Sequence, residues 1–125
     1  MIIKIPFKTP TVNHLYGRHG NRSYLKPEAK KLKAQIVEIG GYFNDYLPLI
    51  HKRFPSPLRV RIEVHEDWYC KNGSVKKKDI DNRAKFMLDS VFEGLGIDDK
   101  FIFSLELVKV QDVSEYAVVH IEPIA

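Results

Sequence analysis

Hydrophobic residues in this chain recur with two periods, one typical of strands and one typical of helices. In residues 58–64, Leu, Val, Ile and Val alternate with charged residues, which predicts a strand with one buried and one solvated face. Residues 2–7, 101–110 and 116–121 predict three further strands. Because only a short connection joins the last two, we expect them to pair as an antiparallel hairpin.

Two other segments have helical spacing. Pro27 suits a first helical position, and the apolar residues that follow it recur at helical intervals: Leu32, Ile36, Ile39 and Phe43. We expect Gly40-Gly41 to weaken or end this helix. Residues 84–95 form a second apolar stripe, which Gly94 and Gly96 can end. Residues 11–24 lack sustained periodicity and predict a polar loop.

These elements follow one another in the order β-α-β-α-β-β. That order predicts an α+β (mixed α/β) fold in which helices pack on a mixed sheet. No repeat, low-complexity tract or linker divides the sequence, so we expect residues 1–125 to form a single small domain.

The composition indicates the cellular location of the protein more clearly than its function. Cys70 is the only cysteine, which argues against a disulfide framework or a zinc site, and no apolar run approaches the length of a membrane span. We therefore expect a cytoplasmic protein with no membrane partner. The net charge of +4 is a weak indication of nucleic-acid binding. Basic residues concentrate in residues 18–33 and 71–85, where they either contact nucleic acid or form ordinary solvated surface.

Charged residues are most concentrated around Asp79-Ile80-Asp81-Asn82, which we call the acidic step. This segment follows three lysines and precedes Lys85. Divalent cations need clustered oxygen ligands and phosphodiesters need positive charge, and this segment offers both. Within a helix the two aspartates would point about 200° apart, whereas in extended structure they would share a face. We therefore expect Asp79 to precede the second helix and Asp81 to lie at or beside its N-cap. A helix cap is the competing explanation for Asp81.

Three further acids and one lysine extend this pattern. Lys85 can reach toward a bound phosphate or form a salt bridge with Asp81. Asp89 is either a partly buried acid or the edge of a solvated face. Asp98-Asp99 precedes the strand at residues 101–110, and if that strand lies beside residues 58–64, the pair can join the acidic step in a cluster of carboxylates. Oxygen-only ligands suit Mg2+ or Mn2+.

These residues resemble the signature of RusA-like Holliday junction resolvases. The likeness rests on the D-x-D-N step, Lys85 and the downstream pair Asp98-Asp99. The opening sequence PFKTPTVNHLY, residues 6–16, is also similar to the N-terminal strand and loop of that family. The resemblance covers nearly the whole chain, and the combined spacing is more specific than D-x-D-N alone.

The resemblance implies a homodimeric, Mg2+-dependent endodeoxyribonuclease that acts in DNA recombination and repair. Such an enzyme nicks two opposed strands of a four-way DNA junction. Carried over by position, the catalytic residues are Asp79, Asp81, Asp99 and Lys85, and the metal ligands are the same three aspartates, with Asp98 as an alternative to Asp99. The segment before the acidic pair is slightly shorter than the family pattern, so the choice between Asp98 and Asp99 stays open.

DNA contacts are expected from two parts of the chain. Asn13, Arg18 and Arg22 are expected to contact backbone phosphates, and Tyr16 or Tyr24 to stack on unpaired bases. The run Lys76, Lys77 and Lys78 is expected to hold the DNA backbone. Lys78 stands where the family often has arginine, and lysine cannot hold a phosphate bidentately. Two other hypotheses remain: a non-catalytic nucleic-acid-binding module, and a structural or protein-interaction domain.

Overall fold

The protein is described here from a computed structural model, in which residues 1–10, 16–44 and 57–124 are described. Its strands are β1 (Ile2–Ile5), β2 (Tyr16–His19), β3 (Arg22–Leu25), β4 (Leu58–Glu66), β5 (Ile102–Gln111) and β6 (Tyr116–Pro123). Its helices are α1 (Pro27–Tyr42) and α2 (Ala84–Leu95), with single 3-10 turns at Asp81–Arg83 and Asp99–Phe101.

Four strands form the main sheet in the order β1-β6-β4-β5. β5 runs parallel to β4, and β6 runs antiparallel to β4 on its other side. The predicted hairpin between β5 and β6 is therefore wrong, because β4 lies between them. Their short connection crosses the end of β4, where the Asp112 amide donates to the Glu66 carbonyl at 3.1 Å. Bridging one intervening strand requires only about 10 Å, which a few extended residues can span.

The hydrophobic core lies between one face of the main sheet and the two helices. The inner face of β4 is fully buried at Leu58, Val60 and Ile62, and it packs with buried residues from the neighbouring elements: Ile3, Ile5, Val119, Ile121, Ile36, Met87, Val91 and Leu95. The outer face of β4 carries Arg59, Arg61, Glu63 and His65. This arrangement confirms the predicted α+β class and mixed sheet. Neither helix of the described ranges has the length and apolar character that a membrane crossing requires.

The two helices approach each other closely at a pair of glycines. A Cβ atom on Gly94 would collide with the Val37 carbonyl oxygen and would lie 2.9 Å from the Gly40 Cα atom. Gly40 therefore serves helix packing and does not end α1, which continues to Tyr42. Gly96 has a φ of 73° and ends α2, as predicted, because glycine adopts the left-handed conformation without steric cost.

A two-stranded hairpin, β2 with β3, occupies most of the segment that we expected to be a loop. Its register pairs Gly17 with Tyr24, and the Tyr24 ring covers Gly17, where a Cβ atom would collide with it. The prediction of a loop was wrong because these short strands have no buried face and therefore no alternation of apolar residues. Contacts between the two strands stabilise the hairpin, and such contacts leave no periodic pattern in the sequence. Asn13 lies outside the described residues.

Candidate active site

The acidic step crosses the end of β4 on the way to α2. The chain leaves β4 after Glu66 and reverses direction at Asn72-Gly73. The returning segment lies beside the outgoing one, and the Lys76 amide donates to the Trp68 carbonyl at 2.8 Å. Asp79 and Asp81 are both exposed. Within the described part of the chain, neither carboxylate has a hydrogen-bond or ion-pair partner. Both acids are therefore accessible to solutes.

Asp81 is not the N-cap of α2. It opens the 3-10 turn Asp81–Arg83, and Arg83 occupies the N-cap position of the helix without a side-chain cap hydrogen bond. Asp81 directly follows Ile80, the N-cap of this turn, and the turn runs without a break into α2, so Asp81 lies beside an N-cap as predicted. Its carboxylate makes no cap hydrogen bond in the described residues. The competing explanation for this acid is thereby removed. Its role as a metal ligand stays a prediction.

Behind the acidic step lies a buried ionic cluster that the sequence analysis missed. Glu66 is 2% exposed and Arg83 is 1% exposed. Arg83 Nη1 donates to Glu66 Oε1 at 2.6 Å and to the Thr9 carbonyl at 2.7 Å, and Lys78 Nζ donates to Glu66 Oε2 at 3.1 Å. Burial by itself raises the pKa of Glu66, but the hydrogen bonds and charges of Arg83 and Lys78 lower it below its ordinary value.

Two sequence signals point to this cluster. Glu66 continues the buried alternation of β4, so an acid falls on the inner face. Arg83 stands one helical turn before Met87 and thus continues the apolar stripe of α2. A charged residue in each of two buried registers predicts an internal ion pair, because an unpaired buried charge is too costly to persist.

Lys85 lies among acidic and phenolic groups on the exposed side of α2. Its ammonium contacts the Asp89 carboxylate at 3.2 Å, so its salt-bridge partner is Asp89 and not Asp81. The hydrogen bond and the charge of Asp89 raise the pKa of Lys85, and Asp99 and Tyr16 act in the same direction. Among these groups, Asp89 is the one that contacts Lys85 directly.

The two acids of the downstream pair differ in their surroundings. The Asp98 carboxylate accepts a hydrogen bond from the Lys100 amide at 2.9 Å and caps the 3-10 turn. Asp99 is exposed, opens that turn and acts on Lys85. β5 lies beside β4, as the expectation required, but the parallel register pairs Ile102 with Leu58, so the acidic pair lies beside the start of β4 whereas the acidic step follows its end. The predicted cluster of these carboxylates is not found in the described residues.

The donor set is compatible with Mg2+, but it is not assembled as a closed cage. Asp79, Asp81 and Asp99 offer exposed carboxylate oxygens, the ligands that this hard cation prefers. Among residues 1–10, 16–44 and 57–124, no three histidine, cysteine, aspartate or glutamate side chains are grouped to hold a metal ion. Mg2+ usually keeps several waters and binds through few carboxylates.

The predicted DNA-contacting residues fall into two groups. Tyr16, Arg18, Arg22 and Tyr24 are exposed on the β2-β3 hairpin. In the lysine run, Lys76 Nζ donates to the Asp67 carbonyl at 3.1 Å and Lys78 is directed toward Glu66, which leaves Lys77 as the exposed member of the run without an internal partner in the described ranges. DNA contact by all these residues stays a prediction.

The family model described as "Endodeoxyribonuclease RusA" matches residues 6–122 of the chain. The match includes the acidic step, Lys85, the downstream acidic pair and the hairpin. No curated protein sequence matches the chain.

Proposed function

Because this chain belongs to the RusA endodeoxyribonuclease family, we propose that it is a structure-specific, Mg2+-dependent nuclease that resolves Holliday junctions by paired symmetric nicks. The observation that carries the proposal is the family match, which spans an acidic step whose two carboxylates are exposed and have no partner in the described part of the chain. DNA recombination and repair are the processes in which such an activity operates.

We propose Asp79, Asp81 and Asp99 as the residues that hold Mg2+, with Mn2+ as an effective substitute. Asp99 is favoured over Asp98 because the Asp98 carboxylate is already engaged by the Lys100 amide. When bound, Mg2+ would supply Lewis acidity at a phosphoryl oxygen and lower the pKa of a water.

Lys85 is proposed to stabilise the negative charge that develops on the phosphoryl group. A lysine is positively charged at neutral pH, and the hydrogen bond and charge of Asp89 raise the pKa of Lys85 further. A fixed cation next to a developing anion lowers the activation free energy. Asp89, which holds the ammonium at 3.2 Å in the free protein, orients it and must share it with the phosphate when DNA is bound.

The hairpin and the exposed basic residues are proposed to hold branched DNA. Arg18, Arg22 and Lys77 suit backbone phosphates, which demand charge but no fixed sequence. Tyr16 is exposed on the hairpin and suits a stacking contact with an unpaired base. Paired cuts in opposed strands require two active sites related by symmetry, so we propose a homodimer.

The proposal is tested with synthetic four-way junctions and linear duplex, incubated with Mg2+, Mn2+ or a chelator. We expect symmetric nicks in the junction alone, and a loss of more than about 100-fold in cleavage rate for Asp79→Asn, Asp81→Asn and Asp99→Asn. Asp98→Asn should retain most activity. Glu122→Gln, on the outer face of the sheet, is the matched control for removal of one carboxylate.

Junctions that bind but stay intact in both metals across several pH values would overturn the nuclease proposal. That outcome, with strong salt dependence of binding, would indicate a nucleic-acid-binding module. Neither binding nor cleavage would indicate an interaction domain. Sedimentation of the protein with and without junction tests the dimer separately.

A further inference from the structure

We propose that Glu66, Arg83 and Lys78 form a positioning clamp that fixes the backbone carrying Asp79 and Asp81. The inference rests on the proposed nuclease function, because it assigns these three residues a role in metal binding. None of them touches the metal or the DNA in this role. They act through the two aspartates.

The clamp closes on both ends of the acidic step. Lys78 immediately precedes Asp79, and Arg83 immediately follows Asn82. Both cations reach the same carboxylate: Lys78 Nζ lies 3.1 Å from Glu66 Oε2, and Arg83 Nη2 lies 3.4 Å from that same oxygen. A single anchor therefore sets the distance between the two ends of the step.

The anchor itself is rigid. Glu66 is the last residue of β4, where it is paired with Gln111 of β5. The backbone at Lys78 is held a second time, because Lys109 Nζ donates to the Lys78 carbonyl at 2.6 Å. At the other end, the Arg83 amide donates to the Ile80 carbonyl at 3.0 Å. Both ends of the acidic step are thus tied, through Glu66 and Lys109, to the parallel strands β4 and β5.

Fixing both ends of the acidic step favours metal binding because the two aspartates between those ends carry like charges. Two neighbouring carboxylates repel each other and separate when no cation binds, unless their backbone is held in place. Holding it in advance removes the ordering cost from the binding step. The clamp thus turns a flexible acidic loop into a preorganised half-site, with Asp79 and Asp81 exposed on its outer side.

The chemistry of the clamp is unusual for a purely structural role. A buried ion pair stabilises a fold no better, on average, than apolar residues of similar volume. Arg83 Nε is also buried without a hydrogen-bond partner in the described ranges, which carries an energetic cost. Arg83 further contacts the Thr9 carbonyl and so connects the acidic step to the N-terminal segment.

The test separates positioning from folding by replacing both buried partners. Glu66→Gln with Arg83→Met removes the two fully buried charges of the clamp together, and only the Lys78 ammonium, whose side chain is 32% exposed, loses its carboxylate. The matched control is Glu122→Gln with Arg59→Met, which applies the same chemical changes to an exposed pair, 3.1 Å apart, on the outer face of the sheet. Mn2+ affinity is measured by titration calorimetry on the full chain, amide hydrogen exchange is followed at residues 79–83, and cleavage is measured against Mg2+ concentration.

We expect the clamp double variant to remain folded, to exchange faster at residues 79–83, and to bind Mn2+ about 10-fold to 100-fold more weakly. Its half-saturating Mg2+ concentration should rise by a similar factor, while the control variant should match the wild type in all three measurements. A folded double variant with wild-type Mn2+ affinity and Mg2+ dependence would overturn the clamp, even if exchange changes.

Should the double variant fail to fold, Lys78 decides the question, since its side chain is 32% exposed and its loss is tolerated more easily. Lys78→Met should weaken Mn2+ binding several-fold, and Lys78→Arg should restore it, because arginine can still bind Glu66. Equal affinities for the two variants would refute the clamp. If the wild type itself neither binds Mn2+ nor cleaves junctions, it is the proposed function that fails.

Discussion

Two glutamates on the same strand show how burial and partner choice change the role of an ion pair. Glu66 and Glu63 lie on opposite faces of β4. Glu66 is 2% exposed and is held by the side chains of Arg83 and Lys78. Glu63 has a side chain 19% exposed and contacts His65 at 3.0 Å, His120 at 2.8 Å and Arg61 at 3.4 Å.

The network around Glu63 extends across the outer face of the sheet. His65 also contacts Asp112 at 3.1 Å, and its ring stacks on Tyr116 with a centroid distance of 4.2 Å. For Glu63, burial raises the pKa, and hydrogen bonds from His65 and His120 more than offset it, so the net shift is downward. The pKa values of both glutamates are lowered, but Glu66 and Arg83 have side chains only 2% exposed, whereas the outer partners Arg61 and His120 are 43% and 34% exposed.

The largest effect should come from breaking the buried pair on one side only. Arg83→Met leaves Glu66 buried with Lys78 as its one remaining cation, and we expect the free energy of unfolding to fall by about 3–5 kcal/mol. Urea denaturation at neutral pH measures it. A loss below about 1 kcal/mol would show that the inner cluster is as weakly coupled as a surface pair.

Removing both buried partners should recover much of that loss. We expect Glu66→Gln with Arg83→Met to be more stable than the sum of the single variants, with a coupling of about 2–3 kcal/mol. The same double-mutant cycle on urea unfolding gives this number. Additive losses would mean that Glu66 and Arg83 stabilise the fold independently of each other.

Lowering the pH should show how much Glu63 contributes to the stability of the fold. Because the pKa of Glu63 is lowered in the folded protein, the unfolded chain takes up the proton more readily, and stability is lost as pH falls below the ordinary value of 4.5 and through the folded pKa. We expect Glu63→Gln to flatten this part of the stability curve. Thermal unfolding between about pH 6 and pH 3 measures the slope. Parallel curves for the variant and the wild type would contradict the assignment.

The smallest effect should come from the exposed pair on the same outer face. Arg59 and Glu122 are 3.1 Å apart, with side chains 53% and 60% exposed. We expect Arg59→Met to change the free energy of unfolding by no more than about 0.5 kcal/mol. A larger loss would mean that distance alone, and not burial, sets the strength of ion pairs on β4.

Local patterns in the sequence predict most of the elements. Alternation in residues 58–64 predicts β4, and helical spacing predicts α1 and α2, because each pattern depends on neighbours along the chain. Local patterns do not predict which strands pair with each other. The sequence suggests a hairpin between β5 and β6, but the burial of β4 on its inner face is better served by flanking strands on both sides, and that preference acts between distant residues.

The candidate site divides in the same way. The spacing of Asp79, Asp81 and Lys85 is visible in the sequence, and with the downstream acidic pair it is sufficient to indicate the family. The Lys85–Asp89 contact and the cap formed by Asp98 are local, because each joins residues no more than four apart. Three-dimensional packing alone determines that Glu66 joins Lys78 to Arg83. A motif specifies which groups are present, but their partners depend on which chain segments meet, and burial at that meeting sets how strongly they interact.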